Sequence, residues 1–348
     1  MKKYGIKFIP LINNLKRMNI KALNIHSIYE GIGRYSELIA NVIGENNVLS
    51  FIPDKRKHDL IYRGKVVHGF KPLLTNGWFF NIALAKLKLR KYIESKVLMH
   101  YLSPILLMNT PGIVTIHDLN YLGNFDNKIV KSKMIKNLEQ AMETKNILTV
   151  SNQSKKSLLE YGFKNVKLID LCALPVFRRL SEEKIRLRRK YNLPLNKTLV
   201  LTVGHGDTAT VDLAIKKNGF THVHVGPERA DIKFEKLSNE QLNEIYNSSD
   251  LFVRITAVEG FGSPAMEAST VGIPIVVSDI DVYREIYGDS AIYSQPDVNS
   301  VAASIKDAIN AREELTFNFS KRSSHFSFAR FKKEMLDYYD LVYKKNIV

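Results

Sequence analysis

The chain has 348 residues, of which 45% are hydrophobic and 25% charged, with 51 Lys/Arg against 35 Asp/Glu and a formal net charge of +16. That length suits two domains or one large one, and the composition excludes a disordered chain, a collagen-like repeat and a coiled coil. The single cysteine, Cys172, excludes an intrachain disulfide and fits a reducing compartment.

The charge is unevenly placed. Residues 1–175 hold 27 Lys/Arg against 12 Asp/Glu, whereas residues 176–348 hold 24 against 23. Such asymmetry points to an anionic partner for one half, namely a membrane surface, a nucleic acid or a phosphorylated substrate. The plain alternative is a lysine-rich surface that serves solubility. No apolar run of signal-peptide length follows Met1-Lys2-Lys3. The most apolar long stretch, residues 101–116, is broken by Pro104, Asn109, Pro111 and Gly112 and falls short of a membrane span. The expected location is cytoplasmic, with peripheral membrane contact as an option.

In chain order, short β-branched runs at residues 6–11, 113–116, 147–150, 199–203, 222–225, 251–255 and 275–277 read as strands covered on both faces. Between the first two, Trp78-Phe79-Phe80 precedes Ile82, Leu84, Leu87 and Leu89, interleaved with Lys86, Lys88, Arg90, Lys91 and Lys96. This reads as a basic amphipathic helix, suited to an anionic membrane or packed on a sheet with its lysines in water. Lys128, Lys131, Lys133 and Lys136 form a second basic group. Ser151 can cap a helix that Gly162 ends. A boundary is expected where Pro175 is followed by a charged segment and then Pro194, with a fresh strand from Leu199. Ser238-Asn239-Glu240-Gln241 spells a capping box. The alternation predicts an α/β protein of two doubly wound, Rossmann-like domains facing a cleft, divided as residues 1–176 and 177–326.

The chemistry is expected at Glu259-Gly260-Phe261-Gly262-Ser263-Pro264-Ala265-Met266-Glu267-Ala268, directly after the strand ending near Ile255. Gly260 and Gly262 permit conformations closed to other residues and a close ligand approach. Ser263 and Pro264 read as N-cap and first helical residue, with the helix ending at Gly272. Its free N–H groups would suit a diphosphate. Glu259 stands on the strand-side lip and Glu267 in the expected first turn, where a carboxylate can accept from a diol. A lone glutamate at a helix start is otherwise simple dipole complementation.

Glu259, seven intervening residues, Glu267, a helix and then Gly272-Ile273-Pro274-Ile275-Val276-Val277-Ser278 resemble the donor-site motif of retaining GT-B glycosyltransferases of family four. Gly31-Ile32-Gly33-Arg34-Tyr35-Ser36 resembles that family's N-terminal glycine loop, and Thr115-Ile116-His117-Asp118-Leu119 its strand-end His-Asp. Residues 149–154 resemble the segment closing its N-domain, and residues 237–252 the stretch leading to the glutamates. Phe326-Ser327-Phe328 resembles the start of its C-terminal segment, which implies a helix over 327–348 crossing back to the N-domain.

The resemblance implies metal-independent transfer of a hexose from a UDP- or GDP-linked sugar, with retention and without a further cofactor. The acceptor would be lipid-linked, a glycan or otherwise anionic. It places Gly31, Gly33, Gly204, Gly206, Gly260, Phe261, Gly262 and Glu267 at the donor, with His117 and Glu259 at the reacting sugar. The sequence departs from the family after residues 199–203. His205 in Val203-Gly204-His205-Gly206-Asp207 stands where an Arg is usual, and the expected Lys is missing. Lys216, Lys217, Arg229 and Arg254 are the candidates for the phosphate charge. The rival readings are a basic GT-B scaffold that binds membrane or nucleic acid with a decayed donor site, and a DNA-modifying glycosyltransferase.

Asp279-Ile280-Asp281 spells the metal signature of other transferases, but it follows a strand of this architecture and is assigned no metal. No histidine–cysteine spacing suits zinc, and Ser36 and Cys172 have no local partner for nucleophilic catalysis.

Overall fold

The computed structural model describes residues 18–25, 31–52, 64–68, 86–87, 89–90, 97–108, 110, 112–123 and 128–347. The strand expected at 6–11 and most of the basic helix expected at 78–96, including Trp78, Phe79, Phe80, Lys88, Lys91 and Lys96, lie outside these residues. The chain forms two compact units. The first comprises residues 1–150, 154–169 and 332–348, and the second residues 151–153 and 170–331.

The first unit contains β1 (Ile20–Asn24), α1 (Gly31–Ile43), β2 (Val48–Ile52), β3 (Lys65–His68), β4 (Leu98–Tyr101), β5 (Gly112–Thr115), α2 (Lys128–Glu143) and β6 (Ile147–Thr149). It continues through most of α3 (Asn152–Tyr161) and β7 (Val166–Leu168). Its sheet runs β3-β2-β1-β4-β5-β6-β7, and every pairing described is parallel. β1, β4, β5 and β6 are almost wholly buried, as a sheet covered on both faces requires. On α2 the buried residues Met134, Leu138 and Ala141 recur at helical spacing, while Lys128, Lys131, Lys133 and Lys136 are exposed.

The second unit contains α4 (Lys184–Lys190), β8 (Leu199–Val203), α5 (Thr208–Lys217), β9 (Thr221–Val225), β10 (Ile232–Phe234), α6 (Asn239–Ser248) and β11 (Leu251–Arg254). Then follow α7 (Ser263–Val271), β12 (Ile275–Ser278), α8 (Asp281–Tyr287), β13 (Ile292–Ser294), α9 (Val298–Asn310) and α10 (Arg312–Arg322). The final helix, α11 (Phe328–Asn346), begins in this unit and continues among the residues of the first. The sheet order is β10-β9-β8-β11-β12-β13, again parallel. Its core gathers Val200, Val211, Ile215, Val253, Val276 and Ile305. Strand order reverses between β8 and β11, and in such sheets ligands bind at the carboxyl ends beside that switch point.

Local signals are met closely where the backbone alone decides them. The Ser238 side chain and Gln241 form the expected reciprocal capping box of α6. Gly272 closes α7 in the left-handed region, at φ 83°. The start of α7 is shifted by one residue from expectation. Gly262, not Ser263, is the N-cap, in the left-handed region at φ 86°, and Pro264 is the second helical residue. Glu267 therefore stands one turn inside the helix.

Candidate functional site

The site in the second unit is built at the carboxyl ends of β8 and β11. β8 runs into Gly204-His205-Gly206, and the Asp207 side chain caps α5 by accepting from Thr210 N. The loop lies hard against the end of β11. Asp207 N donates to Ile255 O at 2.9 Å, and a Cβ on Gly206 would stand 3.0 Å from that same carbonyl oxygen. Only glycine leaves the approach unstrained. A pocket here is lined by Thr202, Gly204, Gly206, Asp207, Arg254 and Ile255.

Arg254 ties this loop to the glutamate motif. One guanidinium nitrogen donates to Val203 O at 3.2 Å and to His205 O, and the other to Glu259 Oε2 at 3.1 Å. The side chain is 16% exposed and Glu259 21%. The Tyr283 hydroxyl reaches Glu259 Oε2 at 3.5 Å. Thus Arg254 is already divided between two loop carbonyls and one carboxylate.

Gly260, Phe261 and Gly262 are buried. A Cβ on Gly262 would fall 2.5 Å from a ring carbon of Tyr283, so both the close approach and the positive φ require glycine. Phe261 packs edge-on to Phe326, with centroids 6.3 Å apart. Glu267 is 2% exposed, and its Oε2 accepts from the Tyr246 hydroxyl at 2.9 Å. That hydroxyl also lies 3.1 Å from Pro264 O. Tyr246, from α6, was not singled out in the sequence. Its one signal was its place on the apolar face of a well-capped helix.

The other candidate cations lie elsewhere. Lys216 and Lys217 occupy the last turn of α5, the opposite end from the glycine loop. Lys216 pairs with Asp212 at 2.6 Å and Lys217 bonds Asn299 at 2.6 Å. Arg229 is exposed in the β9–β10 connection. His205 is 84% exposed and its Nδ1 lies 2.7 Å from Glu228 Oε1. Of the two aspartates with the metal signature, Asp279 is paired with Arg284 and Asp281 begins α8. Among the described residues no group of three or more His, Cys, Asp or Glu could hold a metal ion.

In the first unit, His117 follows β5 and is half-buried. Its Nε2 lies 3.3 Å from Leu102 O, its carbonyl accepts from Ser154 Oγ at 2.6 Å, and the Tyr35 ring stands edge-on at 4.9 Å. Behind it runs a buried chain. Tyr35 Oη meets Thr115 Oγ1 at 3.1 Å, Thr115 Oγ1 meets His100 Nε2 at 2.7 Å, and His100 Nδ1 meets Tyr339 Oη at 2.6 Å. Burial, with the His117 charge adding to it, pushes His100 down to about 3, so it is a neutral imidazole. Gly31 and Gly33 stand in the first turn of α1 rather than in a loop ahead of it, and Gly33 O accepts from Ser36 Oγ at 2.6 Å.

Residues 229–325 match the family model "Glycosyl transferases group 1". O-antigen chain mannosyltransferase RfbU of Salmonella typhimurium is 23% identical over 331 residues, covering 85% of this chain and 83% of that protein. O-antigen chain mannosyltransferase B of Escherichia coli is 29% identical over 108 residues, 30% of this chain, and the match spans only 28% of that relative's length. The structure of Anabaena Alr3699/HepE in complex with UDP and glucose superposes with a TM-score of 0.70 over 92% of this chain and 98% of that one, at 14% identity. Over residues 229–325 the chain thus resembles group 1 glycosyltransferases, and its two parallel-sheet units have the GT-B fold.

Proposed function

We propose that this chain transfers a hexose, of which mannose is the first to test, from a nucleotide-sugar to a lipid-linked or glycan acceptor of the O-antigen kind, with retention at the anomeric carbon. The observation that carries the reading is the Arg254 bridge, which fixes Glu259 against the glycine loop 204–206 at the strand-order switch point. A diphosphate at that loop would meet backbone N–H groups at the start of α5. Glu259 would then stand beside the sugar. Glu267, oriented by the Tyr246 hydroxyl, would take the ribose diol. His117, braced by Tyr35 and Leu102 O, would contact the donor sugar. The mannosyl preference rests on the likeness to the two O-antigen mannosyltransferases. No step calls for a metal: positioning and electrostatic stabilisation of the leaving diphosphate supply the acceleration.

The basic excess of residues 1–175 and the exposed lysines of α2 favour an anionic acceptor or an anionic membrane carrying it. Among the described residues, no helix is long and apolar enough to cross a membrane.

The test is turnover of GDP-mannose and UDP-glucose with the Glu259→Gln variant. Loss of roughly 100-fold or more in kcat/KM, with an unchanged thermal midpoint, is the expected result. A fully active variant would refute the role of Glu259, and absence of turnover or binding with every nucleotide-sugar would favour a scaffold that only binds.

A further inference from the structure

Behind the glycine loop lies a chain of hydrogen-bonded polar side chains. His205 Nδ1 lies 2.7 Å from Glu228 Oε1, and Glu228 Oε2 lies 2.8 Å from His224 Nε2. His224 Nδ1 meets Thr202 Oγ1 at 2.7 Å, and the same oxygen meets His222 Nε2 at 2.8 Å. His222 Nδ1 ends on Asp212 Oδ1 at 3.0 Å. Both inner histidines are 0% exposed. The backbone makes room for the turn: a Cβ on Gly226, whose φ is 152°, would stand 2.5 Å from His224 Nε2.

The hydrogens can be counted. The four junctions between Asp212 and Glu228 need one hydrogen each. Two neutral imidazoles and one hydroxyl supply three. The chain is complete only with one more proton, which leaves an imidazolium between two carboxylates. Burial pushes His222 and His224 down, while Asp212 and Glu228 pull them back, so that proton is taken up on the acid side. Either way Glu228 is fixed from behind, and its second oxygen is presented to His205.

His205 is then held by Nδ1, with its ring 84% exposed on the glycine loop. The charged and titratable groups that face it are few. From the β9–β10 connection there is Glu228, with exposed Arg229 next to it and His224 behind. From the end of β11 there is Arg254, on the His205 carbonyl and shared with Glu259. On its own loop there is Asp207, engaged in capping α5. With Nδ1 engaged by Glu228, Nε2 is the ring nitrogen left to meet a ligand on the loop.

We propose that His205 is the ligand-facing cation of the glycine loop, that Glu228 is its positioning residue, and that the affinity of this chain for a nucleoside diphosphate group therefore rises and falls with protonation. The proposal rests on the nucleotide-sugar reading. It predicts a pH dependence that a fixed arginine would not give.

Nucleotide-sugars are suitable ligands because their diphosphate diester does not titrate near neutrality. Binding of GDP-mannose and UDP-glucose to the full chain would be measured by calorimetry from about pH 5.5 to 8.5. Affinity is expected to be highest at the acid end and to fall roughly 10- to 100-fold by the alkaline end, the range of one charge-assisted hydrogen bond. His205→Arg should flatten the profile at high affinity, and His205→Gln should flatten it at low affinity. Glu228→Gln should move the profile to lower pH, which a purely structural role for Glu228 would not do. Binding that is independent of pH and indifferent to His205→Gln would overturn the proposal and leave the nucleotide-sugar reading standing. No binding of either donor at any pH would overturn that reading and this proposal with it.

Discussion

Gly262 is the residue on which the glutamate motif turns. Its left-handed backbone, at φ 86°, and the 2.5 Å that separates a Cβ from the Tyr283 ring strain any other side chain. Gly262→Ala is expected to cost roughly 1–3 kcal/mol from backbone strain alone, read as a lowered midpoint in urea, and to weaken donor binding because Glu259 and Glu267 lie on either side of the turn. Unchanged stability would show that Tyr283 gives way. The need for glycine was legible here from the Gly-x-Gly spelling before a Ser-Pro helix start. What the spelling did not reveal was the partner of each glutamate. Arg254 reaches Glu259 across five residues and Tyr246 reaches Glu267 across twenty-one. The first pairing depends on how the turn bends, and the second on how α6 packs on α7.

At the level of elements, α2 separates two jobs on two faces. Met134, Leu138 and Ala141 bury against the sheet, while Lys128, Lys131, Lys133 and Lys136 face water. Replacing all four lysines by glutamate should leave the fold intact, because exposed surface changes cost little. It should raise KM for an anionic lipid-linked acceptor several-fold and reduce sedimentation with phosphatidylserine vesicles, each neutralised cation near an anionic surface being worth about 1 kcal/mol. Donor KM should not move. Equal vesicle binding by the variant and the parent protein would count against a role for this face. Helices such as α6 and α7 were readable because caps and glycine stops are local chemistry. The strands β1, β2 and β4 are not legible from their pattern, because Lys21, Asn24, Ser50 and His100 interrupt it. Asn24 Nδ2 donates to Ser50 Oγ at 3.2 Å and His100 bonds Thr115 and Tyr339, so the polar residues are satisfied by neighbours distant in sequence.

For the whole molecule, buried titrating groups set an acid limit. His100 is neutral in the fold, held down to about 3, below the ordinary histidine value. The unfolded chain therefore binds a proton that the folded chain refuses between about pH 6.5 and 3, and stability falls with pH over that window by up to about 1.4 kcal/mol per unit. Asp250, held low by Lys184 and Arg188, Asp212 and Glu228 act with the same sign from the ordinary carboxylate value downward. A thermal midpoint that declines from pH 7 to 5, with a shallower decline in His100→Gln, is expected; identical curves would rule out His100 as the source. The sequence by itself determined what short-range chemistry can dictate: an α/β alternation, a capping box, a glycine turn into a helix, and an excess of 15 positive charges in residues 1–175. Tertiary structure decided the rest. It set the order of strands in both parallel sheets, divided Arg254 between loop and glutamate, and joined His205 to Asp212 through Glu228, His224, Thr202 and His222. Parallel pairing and buried polar satisfaction both bring together groups that are remote in the chain, and no local pattern specifies which remote group each one meets.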